Sequence, residues 1–248
     1  QVKKRLDVLL VEKGLCESRT RAQALVLEGK VRVAGQVETK ASRPIDPGTP
    51  LEIAAPPRFV SRGGDKLEGA FASFGPLGLD AEGKICLDVG SSTGGFTDCL
   101  LQHGARRVMA VDVGTNQLAY KLRVDPRVWV RENFNARNMR PADLPETPVL
   151  AVTDVSFISL KLILPPIVDV LAPGGEAVAL IKPQFEVGRG HAPGGLVRDE
   201  NLRLAARDGI VAFARQTLGL ELRGLCESPV RGKEMGNIEY LSYWRKPE

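Results

Sequence analysis

The sequence has few residues of the kinds that bind metals or form disulfides. Its four cysteines are scattered without a C-x-x-C pair, so we expect reduced, mostly buried thiols. Cys99 and His103 lie at positions i and i+4 of a predicted helix and would offer two metal ligands on one face. Because His191 is the only other histidine, these two residues do not complete a ligand set. The sequence therefore predicts no metal site.

Long apolar segments are lacking as well. The longest uninterrupted apolar run is LILPPIV, residues 162–168, which is much shorter than a membrane span and contains two prolines. The best amphipathic segment, residues 201–218, mixes three arginines with Asp208 and has little bulky apolar content, which is typical of a crossover helix. No charged-then-apolar leader is visible at the N-terminus. We expect a cytoplasmic protein that does not bind membranes.

A strong excess of one charge is absent from the chain as a whole but present in its first quarter. The net charge is +4, and residues 1–62 hold 12 Lys and Arg against 7 Asp and Glu. The remaining residues hold 22 basic against 23 acidic side chains. This asymmetry predicts one module that binds a polyanion and a second module with a different task.

The basic N-terminal part is predicted to be a compact α+β domain. Helical spacing of apolar residues indicates a helix over residues 4–13, and Ser18 is a suitable N-cap for a second helix that ends at Gly29. Alternating residues around a turn at Ala34-Gly35 indicate a hairpin, and the segment LEI indicates a last strand. We assign residues 1–55 to this domain and residues 56–63 to a linker.

Several basic residues in this region are candidates for contacts with nucleic-acid phosphates. Such contacts give affinity and register rather than base choice. The same residues are also compatible with an ordinary solvated helix and hairpin face. The candidate RNA-binding residues are Arg5, Arg19, Arg21, Lys30, Arg32 and Arg62.

The rest of the chain, residues 64–248, alternates predicted strands with helical patterns. Apolar strands that are separated by helical crossovers favour a mostly parallel, doubly wound α/β sheet. The predicted helices include FTDCLLQHG, NQLAYKLR and NLRLAARDGIVAFARQTLG. The predicted strands are 84–90, 107–113, 127–133, 149–156, 176–182, 220–228 and 238–246.

The first of these strands runs into a glycine-rich turn, CLDVGSSTGGFTDCL, residues 86–100. In an open α/β sheet, ligands bind beyond the carboxyl ends of the strands. Gly90 allows a sharp turn, and Gly94 and Gly95 allow a ligand to approach the main chain. The spacing G-x-x-x-G-G differs from the G-x-G-x-x-G of dinucleotide enzymes and suits a nucleoside that carries an amino acid.

An acidic residue, Asp112, ends the next strand, where a carboxylate can accept hydrogen bonds from both hydroxyls of an adenosine ribose. Each glycine alone is compatible with a plain tight turn, and each aspartate with a strand-end cap. Together they favour S-adenosylmethionine as cofactor. The candidate cofactor-binding residues are Asp88, Gly90, Ser91, Gly94, Gly95, Phe96, Asp112, Asn133 and Asp154.

Residues in both parts of the chain carry a resemblance to known families. The C-terminal part resembles the FtsJ-like ribose 2′-O-methyltransferases, whose sites combine Lys, Asp, Lys and Glu from four separate segments. The N-terminal segment SRTRAQALVLEGKVRV is similar to the signature of S4 RNA-binding domains. The combination resembles the TlyA family, formerly labelled haemolysins, over nearly the whole chain. The positions that match the four catalytic residues are Lys66 in SRGGDKL, Asp154 in VTDVSF, Lys182 in LIKPQFE and Glu239 in GNIEYL.

The resemblance implies a Rossmann-like class I methyltransferase fold with S-adenosylmethionine as cofactor. It implies 2′-O-methylation of cytidines in ribosomal RNA, with the RNA or ribosomal subunit held by the basic N-terminal domain. In this reading Asp154 and Glu239 orient the two lysine ammonium groups.

Lys182 stands at an unusual place, the end of the apolar strand EAVALIK. Pro183 follows and has no N–H to donate to a sheet, so pairing should end there and Lys182 should project into the cleft. A lysine in apolar surroundings with a second cation nearby can accept the proton of a ribose hydroxyl. A charged lysine can instead stabilise the developing alkoxide. A snorkelling strand-end lysine without either role is the third possibility.

Three other functions fit parts of the pattern less well. A membrane-active cytolysin needs apolar or lipid-binding segments, and a nicotinamide enzyme needs a different glycine spacing. A binding module without catalysis would not need all four polar positions. The glycine-rich loop over residues 186–201 is a lid, an RNA-contacting flap that orders on binding, or an ordinary connection. We expect a monomer in solution because no extended apolar face remains.

Overall fold

The computed structural model describes residues 2–188, 190–233 and 235–248. The chain divides into two compact units, Gln1–Pro57 and Arg58–Glu248. The linker predicted over residues 56–63 differs from this division. Its last six residues belong to the second unit, because Phe59 is only 3% exposed within the core of that unit and a helix begins at Gly63.

The first unit packs two short helices against small strand pairs. Its core consists of apolar residues from both helices, among them Leu6, Leu10 and Val26, each fully buried. The hairpin turn has positive φ at Ala34 and Gly35, the geometry of a tight turn that matches the twist of the strands. The elements are β1 (Lys4–Arg5), α1 (Leu6–Glu12), α2 (Arg19–Leu27), β2 (Val31–Val33), β3 (Gln36–Val37), β4 (Pro44–Ile45) and β5 (Leu51–Ile53).

Three sequence predictions for this unit are confirmed and one is adjusted. Ser18 caps α2, since its Oγ accepts the backbone N–H of Arg21 at 3.2 Å. The hairpin β2–β3 and the last strand β5 are present as predicted. The first helix begins two residues later than predicted, because Lys4 and Arg5 pair with β4 instead.

The second unit is a seven-stranded, mostly parallel sheet in the order β11-β12-β10-β9-β6-β7-β8. The five strands from β10 to β8 are parallel, and β12 and β11 are added antiparallel at one side, as in many doubly wound folds. The strands are β6 (Ile85–Val89), β7 (Arg107–Val111), β8 (Val128–Arg131), β9 (Leu150–Thr153), β10 (Glu176–Ile181), β11 (Glu221–Glu227) and β12 (Tyr240–Arg245). The helices are α3 (Gly63–Phe74), α4 (Gly95–Gln102), α5 (Tyr120–Arg123), α6 (Leu160–Val170), α7 (Pro183–Glu186) and α8 (Glu200–Gln216).

Helices cover both faces of this sheet, because successive side chains of the central strands point to opposite sides. In β6, Cys86 joins a core that includes Leu67 and Leu100 from α3 and α4. The next residue, Leu87, joins a second core that includes Leu164 and Ile210 from α6 and α8. The predicted α/β architecture is therefore confirmed. The carboxyl ends of β6, β9 and β10 lie side by side at one edge.

Two helices depart from expectation. The segment LILPPIV lies within α6, with Pro165 and Pro166 in the helix interior. Burial of its apolar face against the sheet compensates for the hydrogen bonds that the prolines remove. Conversely, the pattern NQLAYKLR forms only the four-residue α5. Within the described residues, no helix is both long and apolar enough to span a bilayer.

The contact between α3 and the segment before it gives a test of packing. A Cβ added at Gly64 would lie 2.2 Å from Cγ of Phe59, close to the root of that side chain, so the ring would have to move. We predict that Gly64→Ala lowers the free energy of unfolding by about 1–3 kcal/mol. Gly75→Ala, at the end of the same helix with open space and helical φ, is the matched control and should be neutral or slightly stabilising. Denaturant unfolding of both variants checks this, and equal stabilities would contradict it.

Candidate active site

A cavity of about 620 Å³ opens where the carboxyl ends of β6, β9 and β10 meet. Its volume lies within the range of small-molecule sites. The chain leaves these strands at Gly90, Asp154 and Lys182, and all three line the cavity. Lys66 from α3 and Glu239 from the segment before β12 also line the cavity. The four side chains that the sequence analysis grouped as a catalytic set thus face one space.

These four side chains form a continuous series of ion pairs, which we call the tetrad. The Nζ of Lys182 lies 2.5 Å from Oδ1 of Asp154. The other oxygen of Asp154 lies 3.8 Å from Nζ of Lys66. Nζ of Lys66 in turn donates to Oε2 of Glu239 at 2.7 Å. Four segments that are distant in sequence are therefore joined through their charges.

The tetrad is largely withdrawn from water. Lys66, Lys182 and Glu239 are 7%, 8% and 2% exposed. Charged groups at such depth need partners. Removing an ion from water costs on the order of several kcal/mol, and only close pairing can offset that cost. Each member of the tetrad has at least one opposite charge within 4 Å.

Two further polar side chains support the tetrad. Nζ of Lys182 donates to Oγ of Ser156 at 2.9 Å, and the amide of Gln184 donates to Oε1 of Glu239 at 3.1 Å. The Oε1 of Gln184 is buried without a hydrogen-bond partner among the described residues. Neither residue was predicted from the sequence. Each lies two residues after a predicted catalytic residue, Asp154 or Lys182, and this spacing could have indicated them.

The glycine-rich turn packs closely against neighbouring segments of the second unit. Gly90 has φ of 81°, and a Cβ there would lie 3.0 Å from the carbonyl oxygen of Asp154. A Cβ at Gly95 would lie 2.7 Å from the backbone nitrogen of Gly64. Gly90, Ser91, Gly95 and Phe96 line the cavity, so this candidate cradle and the tetrad share one space. Gly94, with φ of 101°, contacts Leu118 and Leu122 on the other side of the turn.

Besides Gly94, three predicted cofactor residues do not line the cavity. Asp112 follows β7, and its two oxygens accept backbone N–H groups of Ser92 and Gly114, each at 2.7 Å. Each oxygen retains a second acceptor position, so the carboxylate can still bind a hydroxyl. Asn133 has φ of 53° and accepts the hydroxyl of Thr115 at 2.7 Å.

The third of these residues, Asp88, is fully buried within β6. Its Oδ2 accepts the hydroxyl of Thr97 at 2.6 Å, whereas Oδ1 has no partner among the described residues. Burial raises the pKa of this carboxyl to about 7, and the hydrogen bond from Thr97 opposes that shift only in part. Asp88 is therefore hydrogen-bonded to Thr97 of α4, and its side chain does not line the cavity.

The candidate RNA-binding residues fall into two groups. Arg5 and Arg19 both contact Asp7, Lys30 pairs with Glu28 at 2.6 Å, and Arg21 and Arg32 are exposed. These residues all belong to the first unit. Arg62 belongs to the second unit instead, where it lines the cavity and donates to the carbonyl of Arg231 at 2.8 Å.

Phe157 is a further cavity residue that was not predicted from the sequence. Phe157 is 82% exposed and has φ of 62°, a strained conformation for an aromatic residue. Its ring lies 5.1 Å from that of Phe185, centroid to centroid, and both line the cavity. An apolar ring held in water beside a polar site is suited to contact a planar ligand. The phenylalanine within VTDVSF was visible in the sequence, but its exposure was not.

The loop over residues 186–201 is hydrogen-bonded to Asn237 of the cavity wall near its middle. The side chain of Asn237 accepts the N–H of Val197 at 3.0 Å and donates to the carbonyl of Gly195 at 2.7 Å. Ala192 and Gly195 line the cavity. Arg189 lies outside the described residues, and the lid hypothesis stays a prediction.

The pair Cys99 and His103 gains a third neighbour, Glu68 of α3. Donor atoms of the three lie within 4.8 Å of one another. However, Glu68 is already bound by Nε2 of His103 at 2.7 Å and by Arg58 at 2.9 Å, and burial raises the pKa of the Cys99 thiol. These contacts account for the cluster as a partly buried ion-pair network.

The near-neutral pKa of Asp88 gives a pH-dependent test of stability. The folded carboxyl keeps its proton up to about pH 7, whereas the ordinary value is 3.8. Stability from this group is complete below pH 3.8 and is lost as the pH rises through 7. Asp88→Asn has no such proton to lose. We predict that, between pH 4 and pH 8, the free energy of unfolding of Asp88→Asn rises by roughly 4 kcal/mol relative to that of the wild type.

Denaturant unfolding of both proteins at a series of pH values measures this difference. Asp208→Asn, at an exposed position of α8, is the matched control and should follow the wild type throughout. A difference between Asp88→Asn and wild type that does not change with pH would contradict the raised pKa.

Comparisons with known proteins bear on both units. Residues 59–246 match the model of the FtsJ-like methyltransferases, and residues 4–51 match that of the S4 domain. The chain is 46% identical to a candidate rRNA methyltransferase, YqxC, of Bacillus subtilis, over 99% of this chain and 86% of the relative. It is 43% identical to the 16S/23S rRNA (cytidine-2′-O)-methyltransferase TlyA of Mycobacterium tuberculosis, over 97% of this chain and 89% of the relative. A solved structure of a candidate hemolysin from Streptococcus thermophilus is 45% identical, with a TM-score of 0.75, and covers 100% of this chain and 90% of its own.

Proposed function

Because the chain belongs to the TlyA family, in which an S4 domain precedes an FtsJ-like methyltransferase domain, we propose that it methylates ribose in ribosomal RNA. The methyl group would come from S-adenosylmethionine and the acceptor would be the 2′-hydroxyl of a cytidine, as the name of the Mycobacterium tuberculosis relative states for that protein. The observation that carries this proposal is the buried tetrad, which lies in the same cavity as the glycine-rich turn.

The cofactor would be held by the turn between β6 and α4. Gly90 and Gly95 bring the main chain of this turn to the cavity wall, and Ser91 and Phe96 add a polar group and an apolar ring there. Asp112 and Asn133, at the ends of the neighbouring strands β7 and β8, are proposed to bind the nucleoside end. When bound, S-adenosylmethionine supplies an electrophilic methyl group on a sulfonium sulfur.

The tetrad would manage the proton of the ribose hydroxyl. Lys182 is the member that follows the central strand β10, and it also contacts the neutral hydroxyl of Ser156 at 2.9 Å. Asp154 fixes the position of its Nζ. Lys66 pairs with the other oxygen of Asp154 and is itself held by Glu239. Asp154 therefore has few other positions available. We propose that Lys182 touches the substrate and that the other three residues orient it.

Two roles for Lys182 can be separated by substitution. We predict that Lys182→Ala lowers turnover on ribosomal RNA at least about 100-fold, while affinity for S-adenosylmethionine stays within about twofold. Lys182→Arg keeps the charge but does not release a proton near neutral pH. Residual activity well above that of Lys182→Ala would therefore assign charge stabilisation to Lys182, and equal loss would assign proton acceptance.

The measurement is transfer of labelled methyl groups to unmodified ribosomal RNA, followed by mapping of ribose methylation. Calorimetric titration with S-adenosylmethionine gives the affinity. Lys161→Ala, an exposed lysine on α6, is the matched control and should behave as wild type. Turnover at the wild-type rate in Lys182→Ala would exclude this site as the catalytic centre.

The substrate would be held by both units. The basic residues Arg5, Arg19, Arg21, Lys30 and Arg32 of the first unit are proposed to bind phosphates of the RNA. Arg62 is proposed to do the same at the cavity. Single-stranded bases stack on exposed aromatic rings, and a nucleotide must leave its helix before its ribose can enter a cavity. Phe157, beside Phe185, offers such a ring.

The stacking proposal gives a separate prediction. Phe157→Leu should lower kcat/KM for RNA roughly 5- to 150-fold, the range expected for loss of one base–aromatic contact. Phe157→Trp keeps an aromatic surface at the same backbone position and should retain most activity. Methyl-transfer kinetics on ribosomal RNA compare the two. Equal activity of both variants would remove the stacking role, whatever the level of that activity.

A further inference from the structure

A fully buried carboxylate lies beneath the basic surface of the first unit. Asp7, in the first turn of α1, has a side chain with 0% exposure. Its two oxygens accept Nε and Nη2 of Arg5 at 3.0 and 2.9 Å. The same carboxylate accepts Nε of Arg19 at 2.9 Å and the amide of Gln23 at 2.7 Å.

Both arginines present only part of their donors to this carboxylate. A guanidinium carries five N–H groups, of which Arg5 uses two on Asp7 and Arg19 uses one. Within residues 2–57, neither side chain has another hydrogen-bond acceptor. The arginine side chains remain 45% and 54% exposed, so their other N–H groups face solvent. Each arginine is thus held at one side and open at the other.

The charge balance at this place leaves a surplus. One carboxylate compensates only one of the two guanidinium charges. It also allows two like charges to lie close together, which they would otherwise resist. The hydrogen bond from Arg5, followed by those from Gln23 and Arg19, holds the pKa of Asp7 well below its usual range. The carboxylate is therefore charged at neutral pH.

Fixed side chains bind a partner at lower entropic cost than mobile ones. Arginine side chains carry much rotamer freedom, which is lost when they bind a phosphate. Contact with a buried anchor removes that freedom before the RNA arrives. The bidentate geometry of Arg5 on Asp7 also fixes the plane of the guanidinium, which determines where a phosphate oxygen can be bound.

We propose that Asp7 is a positioning residue for RNA binding: it holds Arg5 and Arg19 as a preorganised pair whose free N–H groups bind RNA phosphates. This inference rests on the proposed function, in which the first unit binds RNA. It assigns to a negatively charged residue a favourable effect on affinity for a polyanion.

That sign makes the proposal testable in the full-length protein. Asp7→Asn and Glu12→Gln each remove one negative charge from α1, and Glu12 pairs only with Lys4 at the surface. General electrostatics alone predicts slightly tighter RNA binding for both variants. Preorganisation predicts that Asp7→Asn weakens binding roughly 5- to 100-fold while Glu12→Gln does not. Filter binding of radiolabelled 16S and 23S ribosomal RNA transcripts measures this, and equal or tighter binding by Asp7→Asn would overturn the proposal.

A double-mutant cycle separates positioning from a general loss of folding. In a protein with Arg5→Gln and Arg19→Gln, adding Asp7→Asn should cause no further loss of affinity, because no arginines remain to be placed. A further loss as large as in the wild-type background would show that Asp7 acts through the fold, and would overturn the proposal. In methyl transfer, Asp7→Asn should raise KM for RNA and leave kcat unchanged.

Two arginine double variants distinguish the remaining outcomes. If Asp7→Asn does not fold, Arg5→Lys with Arg19→Lys replaces it, since these lysines keep the charge but lose the planar fork. Wild-type affinity in that variant would overturn the positioning role. If instead Arg5→Gln with Arg19→Gln binds RNA like the wild type, the assignment of this face to RNA binding is wrong. If that double variant binds RNA more weakly but Asp7→Asn binds it as tightly as the wild type, only the positioning role of Asp7 is refuted.

Discussion

The ion pairs that join Lys182, Asp154, Lys66 and Glu239 constrain how the second unit is built. Lys66, Lys182 and Glu239 are buried and Asp154 is half-buried, and an unpaired charge at the buried positions would cost on the order of several kcal/mol. The pairs form only if the ends of β9 and β10 and the beginnings of α3 and β12 lie at one place. Parallel strands meet this requirement, because their carboxyl ends share an edge. The addition of antiparallel β12 beside β10 brings Glu239 to the same edge from the opposite direction.

The two lysines of this chain of charges differ in how fully they are compensated. Lys66 lies between two carboxylates, 2.7 and 3.8 Å away. Lys182 has one carboxylate at 2.5 Å and otherwise a neutral serine hydroxyl and the ring of Phe185. Less opposing charge therefore surrounds Lys182, so it can respond more strongly to a new negative charge. Lys66 is better suited to hold Asp154 and Glu239 in place.

A feature of this arrangement could be predicted from the sequence where its physical cause lies in residues that are close together in the chain. Apolar strands and the Ser18 cap are set by near neighbours, and they were found. Helix α6 was hidden by Pro165 and Pro166, since its stability comes from packing against the sheet rather than from local preference. Phe157 and Gln184 could not be assigned, because exposure of the one and enclosure of the other depend on segments distant in the chain. Asp112 was expected at a ligand but has two backbone partners of its own, which only the folded turn reveals.

Buried carboxylates organise cations in both units, yet the two arrangements leave different charges behind. In the second unit, the charges of the two acidic groups and the two lysines of the tetrad balance one another. In the first unit, a single carboxylate lies below two half-exposed arginines, so positive charge remains at the surface. A reaction centre needs a balanced environment in which one proton can be held in place, since excess charge would favour one protonation state. A surface for a polyanion needs the opposite, an excess of charge in a fixed geometry. Under the proposed function, the same type of acidic side chain meets both needs because the number of cations around it differs.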